Sequence, residues 1–210
     1  MGDEALAWSP VVANTIMNRG RGLASYAKEL GFDVAGFLAD RGPGARWLDL
    51  CCGEGRAAVE GAGLPGVEVV AVDLVGHFAS QDARVRWLAA GIGELGALGL
   101  GEFDLVTCVH GLHYVGDKLG ALGYCAGILR DGGVFAANFD AGSLRDAEGE
   151  PLGRRAVTAL RAAGFAYDAR KRLVSRTGAA EVAWPWRYLG ADDRAGVNYT
   201  GAETVAGWYG

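Results

Sequence analysis

Trp47-Leu48-Asp49-Leu50-Cys51-Cys52-Gly53-Glu54-Gly55 is the stretch on which the fold turns. Residues 46–50 form a short apolar run holding one acid, and residues 56–61 have helical spacing. The two glycines therefore stand where a strand hands over to a helix. Without a Cβ they let the backbone turn tightly and approach a ligand closely. Amides exposed at the start of the following helix can bind a negative group. Asp73 lies 18 residues beyond Gly55, at the end of the next apolar run, 67–72. An acid at that place accepts hydrogen bonds from two ribose hydroxyls. Strand, glycine loop, helix, strand and acid together describe a nucleoside-binding unit.

Outward from this unit the same rhythm continues. Residues 85–89, 103–109 and 134–138 read as further strands, and 76–81 and 118–129 as helices between them. The strands are almost wholly apolar, as in a parallel sheet covered by helices on both faces. Toward the C-terminus, 153–163 reads as a helix with arginines on its outer side. Residues 165–175 and 181–189 read as two strands joined around Arg176-Thr177-Gly178. So short a connection makes them an antiparallel hairpin, with Pro185 demoting part of the second strand or marking a bulge. Toward the N-terminus, 11–17 and 23–30 read as helical, Gly31 as a stop, Asp33 as the cap of a helix through Leu38, and 41–44 as a turn. The expected organisation is an N-terminal helical cap on the substrate side, 1–44, and a nucleoside-binding core, 45–210, within one domain overall.

Composition narrows the function classes. The chain has 210 residues, 50% hydrophobic and 21% charged, which suits one globular domain. Twenty bases against 25 acids leave a charge of −5, so nucleic acid is an unfavoured partner. Glycine is abundant, 35 residues, without a triplet period, so collagen is excluded. The four cysteines make no C-x-x-C pair, which removes zinc-knuckle and thioredoxin-type readings and fits a reducing compartment. No signal peptide or membrane span is read, and a cytoplasmic location is expected.

The acid inside the first strand bears on the ligand. Asp49 stands four residues before Gly53, where its charge repels a pyrophosphate and suits a cation such as an α-amino group. Here the sequence resembles a known family. The stretch from Trp47 to Gly55 is similar to the first motif of class I S-adenosylmethionine-dependent methyltransferases, and Ala71-Val72-Asp73-Leu74 to their second. Phe103-Asp-Leu-Val-Thr-Cys-Val-His110 is similar to the fourth-strand motif, and Leu129-Arg-Asp-Gly-Gly-Val134 to the turn before the fifth strand. The resemblance covers about residues 45–140. It implies a Rossmann-like, seven-stranded, mostly parallel sheet whose C-terminal antiparallel hairpin supplies the last two strands, with S-adenosylmethionine as cofactor. It implies that Asp49, Cys51 and Gly53, with Cys52 in the same loop, line the methionine part, that Asp73 binds the ribose, and that Leu74 packs on adenine. It further implies that Val109 and His110 touch the amino acid end through backbone. Cys51 replaces the usual first glycine, and the loop is expected to survive if that residue keeps a negative φ. Ala90-Gly91-Ile92 lacks the acid common after the third strand, so Gly91 and Ile92 are expected to read adenine through backbone amides.

The methyl donor is intrinsically electrophilic, so the chemistry needs an aligned nucleophile and at times a base. His113 lies just past the fourth strand, at the ligand end of such sheets, and is the candidate general base. Tyr26 is the candidate lid over the cofactor carboxylate, alone or with Arg19 or Arg21. His77 is expected on the surface or the adenine side. Asn138 and Asp140 end the fifth strand on the ligand side. A metal is not expected, because His110 and Gly111 stand where a second acid would be needed. Arg170-Lys171-Arg172 reads as a solvated strand edge. The aromatic C-terminus, including Trp184, Trp186, Tyr188, Tyr199, Trp208 and Tyr209, can form a substrate wall, core or a homodimer interface. The Asp/Asn-Pro-Pro-Tyr/Phe turn of amino-methylating nucleic-acid enzymes is absent, as are the Pro-Cys nucleophile and the paired-glutamate loop of other branches. The expected activity is methyl transfer to oxygen or nitrogen of a small molecule, in specialised metabolism. Methylation of a peptide or RNA, and a cofactor-binding domain that does not methylate, are the alternatives.

Overall fold

β1 (Arg46–Leu50) runs between β2 (Glu68–Asp73) and β4 (Phe103–Cys108), parallel to both. In the computed structural model, which describes residues 1–13 and 20–210, these strands centre a seven-stranded sheet. The sheet is completed by β3 (Val85–Ala89), β5 (Leu129–Asn138), β7 (Ala166–Asp168) and β8 (Leu173–Thr177), in the order β3-β2-β1-β4-β5-β8-β7. The first five strands are parallel, and β8 runs antiparallel to both β5 and β7. The chain leaves β1 for β2 on one side and later returns to β4 on the other. Loops at the carboxyl end of β1 therefore diverge, and in such sheets ligands bind in the crevice this opens.

Side chains alternate along β1. Leu48 and Leu50 enter a core with Val70, Val72, Val106, Cys108 and Phe135. That face is covered by α5 (Lys118–Gly127) and α6 (Arg154–Ala162). Trp47 faces the other way, with Val69, Ala71, Leu105 and Ala136, under α2 (Leu23–Leu30), α3 (Val34–Arg41) and α4 (Arg56–Ala62). Each fully buried leucine here contributes roughly 1.5–3 kcal/mol. Asp49 shares the Trp47 face by the same period, and that places a carboxylate beneath α2. A short α1 (Asp3–Ala7) lies near the N-terminus.

Several expectations need correction. The hairpin is β7 and β8, both within residues 166–177; the turn is the polar 169–172, not Arg176-Thr177-Gly178. Residues 181–187 join no strand. Pro185 offers no amide, and Trp184 instead anchors the segment, its indole N–H donating to Leu119 O at 2.7 Å and its ring stacking on Phe165. The chain then forms β9 (Tyr188–Asp192), which pairs antiparallel with β10 (Ala206–Tyr209), and β10 in turn pairs parallel with β6 (Leu144–Arg145) in a separate three-stranded sheet. Residues 76–81 are not a helix; Gly76 has φ 65°, Phe78 stacks on Trp87, and Ala79 N–H donates to Glu54 O. Asp33 precedes α3 but makes no side-chain cap bond. α2 ends as expected, with Gly31 at φ 75°. The expected helix over 11–17 falls largely outside the described residues, and 11–13 form a turn.

Candidate active site

Asp49 is fully buried, 0% exposed, yet both its oxygens are satisfied. Tyr26 Oη donates to Oδ2 at 2.9 Å, and Thr107 Oγ1 donates to Oδ1 at 2.7 Å. Trp47 Nε1 donates in turn to Thr107 Oγ1 at 2.8 Å. The register makes this possible: Asp49 pairs with Thr107 across β1 and β4, on the face that carries Trp47 and Leu105. Burial outweighs both hydrogen bonds and pushes the Asp49 carboxyl up to about 7, with Asp73 adding to the rise. Tyr26 is 3% exposed, its ring edge-on to Trp47. It is thus a buttress of Asp49 and not a lid. Arg19 lies outside the described residues. Thr107 is a contributor that the motif reading missed; its signal is a lone hydroxyl in an otherwise apolar inward register.

Above Asp49 the chain turns through three left-handed residues: Cys51 at φ 54°, Gly53 at 59° and Gly55 at 79°. The loop is expected to survive if Cys51 keeps a negative φ; instead it forms with Cys51 in the left-handed conformation that a glycine would supply more cheaply. A Cβ on Gly111 would lie 2.2 Å from Cys51 Cβ, so the loop after β4 passes only because residue 111 is glycine. A Cβ on Gly55 would sit 2.3 Å from the Trp87 ring. Cys52 is buried, and its amide donates to Val72 O.

Asp73 ends β2 beside this loop, half-buried. Gly53 N–H donates to its Oδ2 at 3.0 Å and Val75 N–H to its Oδ1 at 3.1 Å. Two amides thus fix the carboxylate, and each oxygen retains further acceptor capacity. Leu74 approaches Gly91: its Cδ1 is 3.7 Å from the place a Gly91 Cβ would take. The Gly91 amide donates to Glu94 Oε2 at 2.7 Å, and the Glu94 amide returns to Gly91 O. Gly91 therefore spends its N–H on the turn beginning at Ile92, and the expectation that it reads a ligand through this amide is corrected. His77 is exposed.

At the carboxyl end of β4, Val109 is buried and His110 has φ 60°. The His110 amide donates to Asn138 Oδ1 at 3.2 Å, which ties the ends of β4 and β5 together. Its Nε2 meets Glu29 Oε2 of α2 at 3.2 Å. Burial, with Arg21, lowers the His110 pKa against the opposing pull of Glu29. His113 sits in the next turn, 1% exposed. Its ring is 5.9 Å from that of His110 and 5.4 Å from that of Tyr199, and neither ring nitrogen has a hydrogen-bond partner among the described residues. Burial, then His110, Lys118 and Arg172, push its pKa down to about 3. Lys118 is itself fully buried and donates to Val115 O and Val205 O, both at 2.7 Å.

Arg172 does not lie on a solvated edge. It turns at φ 49°, pairs with Asp140, and stacks over the Tyr199 ring at 4.7 Å. The C-terminal segment is drawn over the site by Thr204 Oγ1 and Val205 N–H, which both donate to His113 O at 2.9 Å. Tyr199 thereby joins the site, while Trp184, Tyr188 and Tyr209 pack elsewhere.

The arrangement fits an S-adenosyl ligand on its own chemistry. A pre-fixed carboxylate with free lone pairs suits a ribose diol. The glycines at 55 and 111 let Trp87 and Cys51 pack directly on the backbone, which fixes the loop beside that carboxylate. The buried acid beneath it favours a cationic amino acid end.

Residues 48–137 match the family described as a methyltransferase domain. The chain is similar to a ubiquinone biosynthesis O-methyltransferase of Xanthomonas campestris pv. campestris, 35% identical over 101 residues, 44% of this chain and 42% of that protein. The protein of the same description from Xanthomonas axonopodis pv. citri is 34% identical over 98 residues, 43% of this chain and 41% of its own. The chain thus spans about two fifths of the length of the curated relatives it matches. Among solved structures, the S-adenosylmethionine-bound amino pentose methyltransferase of Micromonospora echinaspora is 26% identical, with 58% of this chain and 52% of that one covered and a TM-score of 0.41. The sheet order, the glycine loop with its two acids and the family match converge on one stretch of the chain: residues 48–137 match a methyltransferase domain.

Proposed function

We propose that the chain transfers a methyl group to the hydroxyl oxygen of a small-molecule acceptor. The observation that carries this reading is the pairing of a pre-fixed carboxylate, Asp73, with a buried imidazole, His113, that has no hydrogen-bond partner among the described residues, at one end of one sheet. The description of the sequence relatives as O-methyltransferases supports oxygen over nitrogen.

Bound S-adenosylmethionine supplies a methyl group on a sulfonium centre, which needs no further activation. The residues of the chain bind and orient. Asp73 accepts from the ribose hydroxyls, and Leu74 packs against the adenine, with Ile92 at its edge. The loop of Cys51, Cys52 and Gly53 and the backbone of Val109 and His110 hold the amino acid end. Asp49 acts from below the loop through its charge, with Tyr26 and Thr107 keeping it in place. The acceptor lies between the β4 and β5 ends and the C-terminal segment, with its hydroxyl toward His113.

Incubation of the full chain with methyl-labelled donor and a panel of phenols, catechols, alcohols and amines tests this. Label on oxygen of a hydroxylated acceptor is expected. Label on RNA or peptide alone, or donor binding without transfer to any acceptor class, overturns it.

A further inference from the structure

His113 is an anomaly unless something meets it. Its side chain is buried, and both nitrogens lack a partner among the described residues. A buried imidazole left this way is destabilising relative to one that is hydrogen-bonded. Buried polar groups without a partner are uncommon, and the position of this one, at the ligand end of the sheet, points to a bound molecule.

The groups around it determine what that molecule is. His110 and Tyr114 lie on the same turn, and His110 is engaged by Glu29 and acted on by Arg21. Lys118 approaches from α5, with Asp117 beside it. Arg172 approaches from the β7–β8 turn, already paired with Asp140. Tyr199, Glu203 and Thr204 belong to the C-terminal segment, where Thr204 bonds the backbone of His113 and Glu203 acts on Tyr114. Among the described residues no carboxylate bonds either ring nitrogen. A histidine that abstracts a proton becomes a cation and is normally oriented and stabilised by an acid. Here that cation would be buried beside Lys118 and Arg172 with no such acid. An oxyanion at the same place would gain from both cations and from a neutral N–H donor.

We infer that the acceptor is an acidic hydroxyl compound, a phenol or an enol, which binds as its oxyanion against a neutral His113 that donates a hydrogen bond and removes no proton. This rests on the methyl-transfer reading above and revises the general-base role expected of His113. The acceptor proton leaves to solvent on binding. The acceptor oxygen then forms the new C–O bond as the methyl–sulfur bond breaks, and the electron pair of that bond stays on sulfur. Tyr199 is 42% exposed and meets His113 edge-on, so the acceptor reaches the imidazole by displacing this ring. Gly196 and Gly201, at φ 90° and 81°, flank the segment that would swing.

4-Nitrophenol is the probe, because its anion absorbs in the visible and reports ionisation without turnover. It is titrated with pH against the full chain saturated with S-adenosylhomocysteine. The bound probe should ionise at least about one pH unit below the free probe, a tenfold change in its ionisation constant. His113→Gln, which can donate but cannot act as a base near neutrality, should keep most of this shift; His113→Phe should lose it. An unchanged or raised midpoint, no probe binding to the product-saturated protein, or a His113→Gln variant as inert as His113→Phe, each overturns the inference. Calorimetry with S-adenosylhomocysteine alone separates the two levels. No heat there removes the methyltransferase reading, whereas heat without a probe shift removes only the oxyanion site.

Discussion

Tyr26 Oη reaches Asp49 Oδ2 at 2.9 Å, joining an N-terminal helix to the central strand through two fully enclosed polar groups. This contact makes α2 part of the site's foundation, although it lies outside the family match over 48–137. Tyr26→Phe deletes the donor and leaves a buried carboxylate with one partner. The expected cost is about 1.5–3 kcal/mol in denaturant unfolding, with severalfold weaker S-adenosylhomocysteine binding. Unchanged stability would mean that the phenol is merely packed there.

Asp49 makes stability depend on pH with a definite sign. Its folded pKa is about 7, against an ordinary value of 3.8. Between these values the folded state holds a proton that the unfolded state has released. The contribution of Asp49 is therefore most favourable below pH 4, falls as pH rises, and levels off above 7, with a slope of at most about 1.4 kcal/mol per pH unit. Comparing the unfolding of wild type and Asp49→Asn from pH 4.5 to 8 checks this; parallel curves would contradict it. A cationic ligand end favours the ionised form, so donor binding near neutral pH should release a proton, seen as a calorimetric heat that varies with buffer ionisation enthalpy.

Lys118 has the opposite slope. Burial lowers its pKa from 10.5 to about 7. Between these values the unfolded state binds the extra proton, so stability rises from pH 7 toward 10 and the penalty of burying the charge is full below 7. Lys118→Met should flatten this rise. It should also loosen the C-terminal segment by freeing Val205 O, which hydrogen exchange at residues 203–207 would register as faster.

Cys51 and Gly111 form a matched pair. Gly111→Ala drives a methyl group into Cys51 Cβ, and roughly 1–3 kcal/mol of destabilisation is expected. In a Cys51→Gly background, which removes both that clash and a left-handed cysteine, the same change should cost at least about 1 kcal/mol less. Additive effects in the double-mutant cycle would show that the two residues do not share this space.

The central motif was legible because its physics is local. Gly53 and Gly55 need left-handed backbone, the apolar runs need two covered faces, and Asp73 falls where a strand ends. The parallel strands and their order follow from those signals and from the resemblance they carry. What could not be read depends on contacts distant in sequence. Nothing near Cys51 reveals that the Gly111 loop, sixty residues on, passes directly against its side chain. Arg172 reads as one of three surface bases until Asp140 and Tyr199 are seen beside it. The hairpin was displaced because 181–189 has the β-propensity of a strand, yet Pro185 and the anchored Trp184 hold it off the sheet. His113 reads as lying just past the fourth strand, and it does, but its burial and the lack of an acid on its ring among the described residues are tertiary facts.

The account stands most directly on calorimetric titration of the full chain with S-adenosylhomocysteine, in parallel with Asp73→Ala. It predicts saturable one-site binding for the wild type and at least tenfold weaker binding for the variant. Absence of heat in the wild type, equal affinity in both proteins, or binding of a pyridine dinucleotide instead would contradict it.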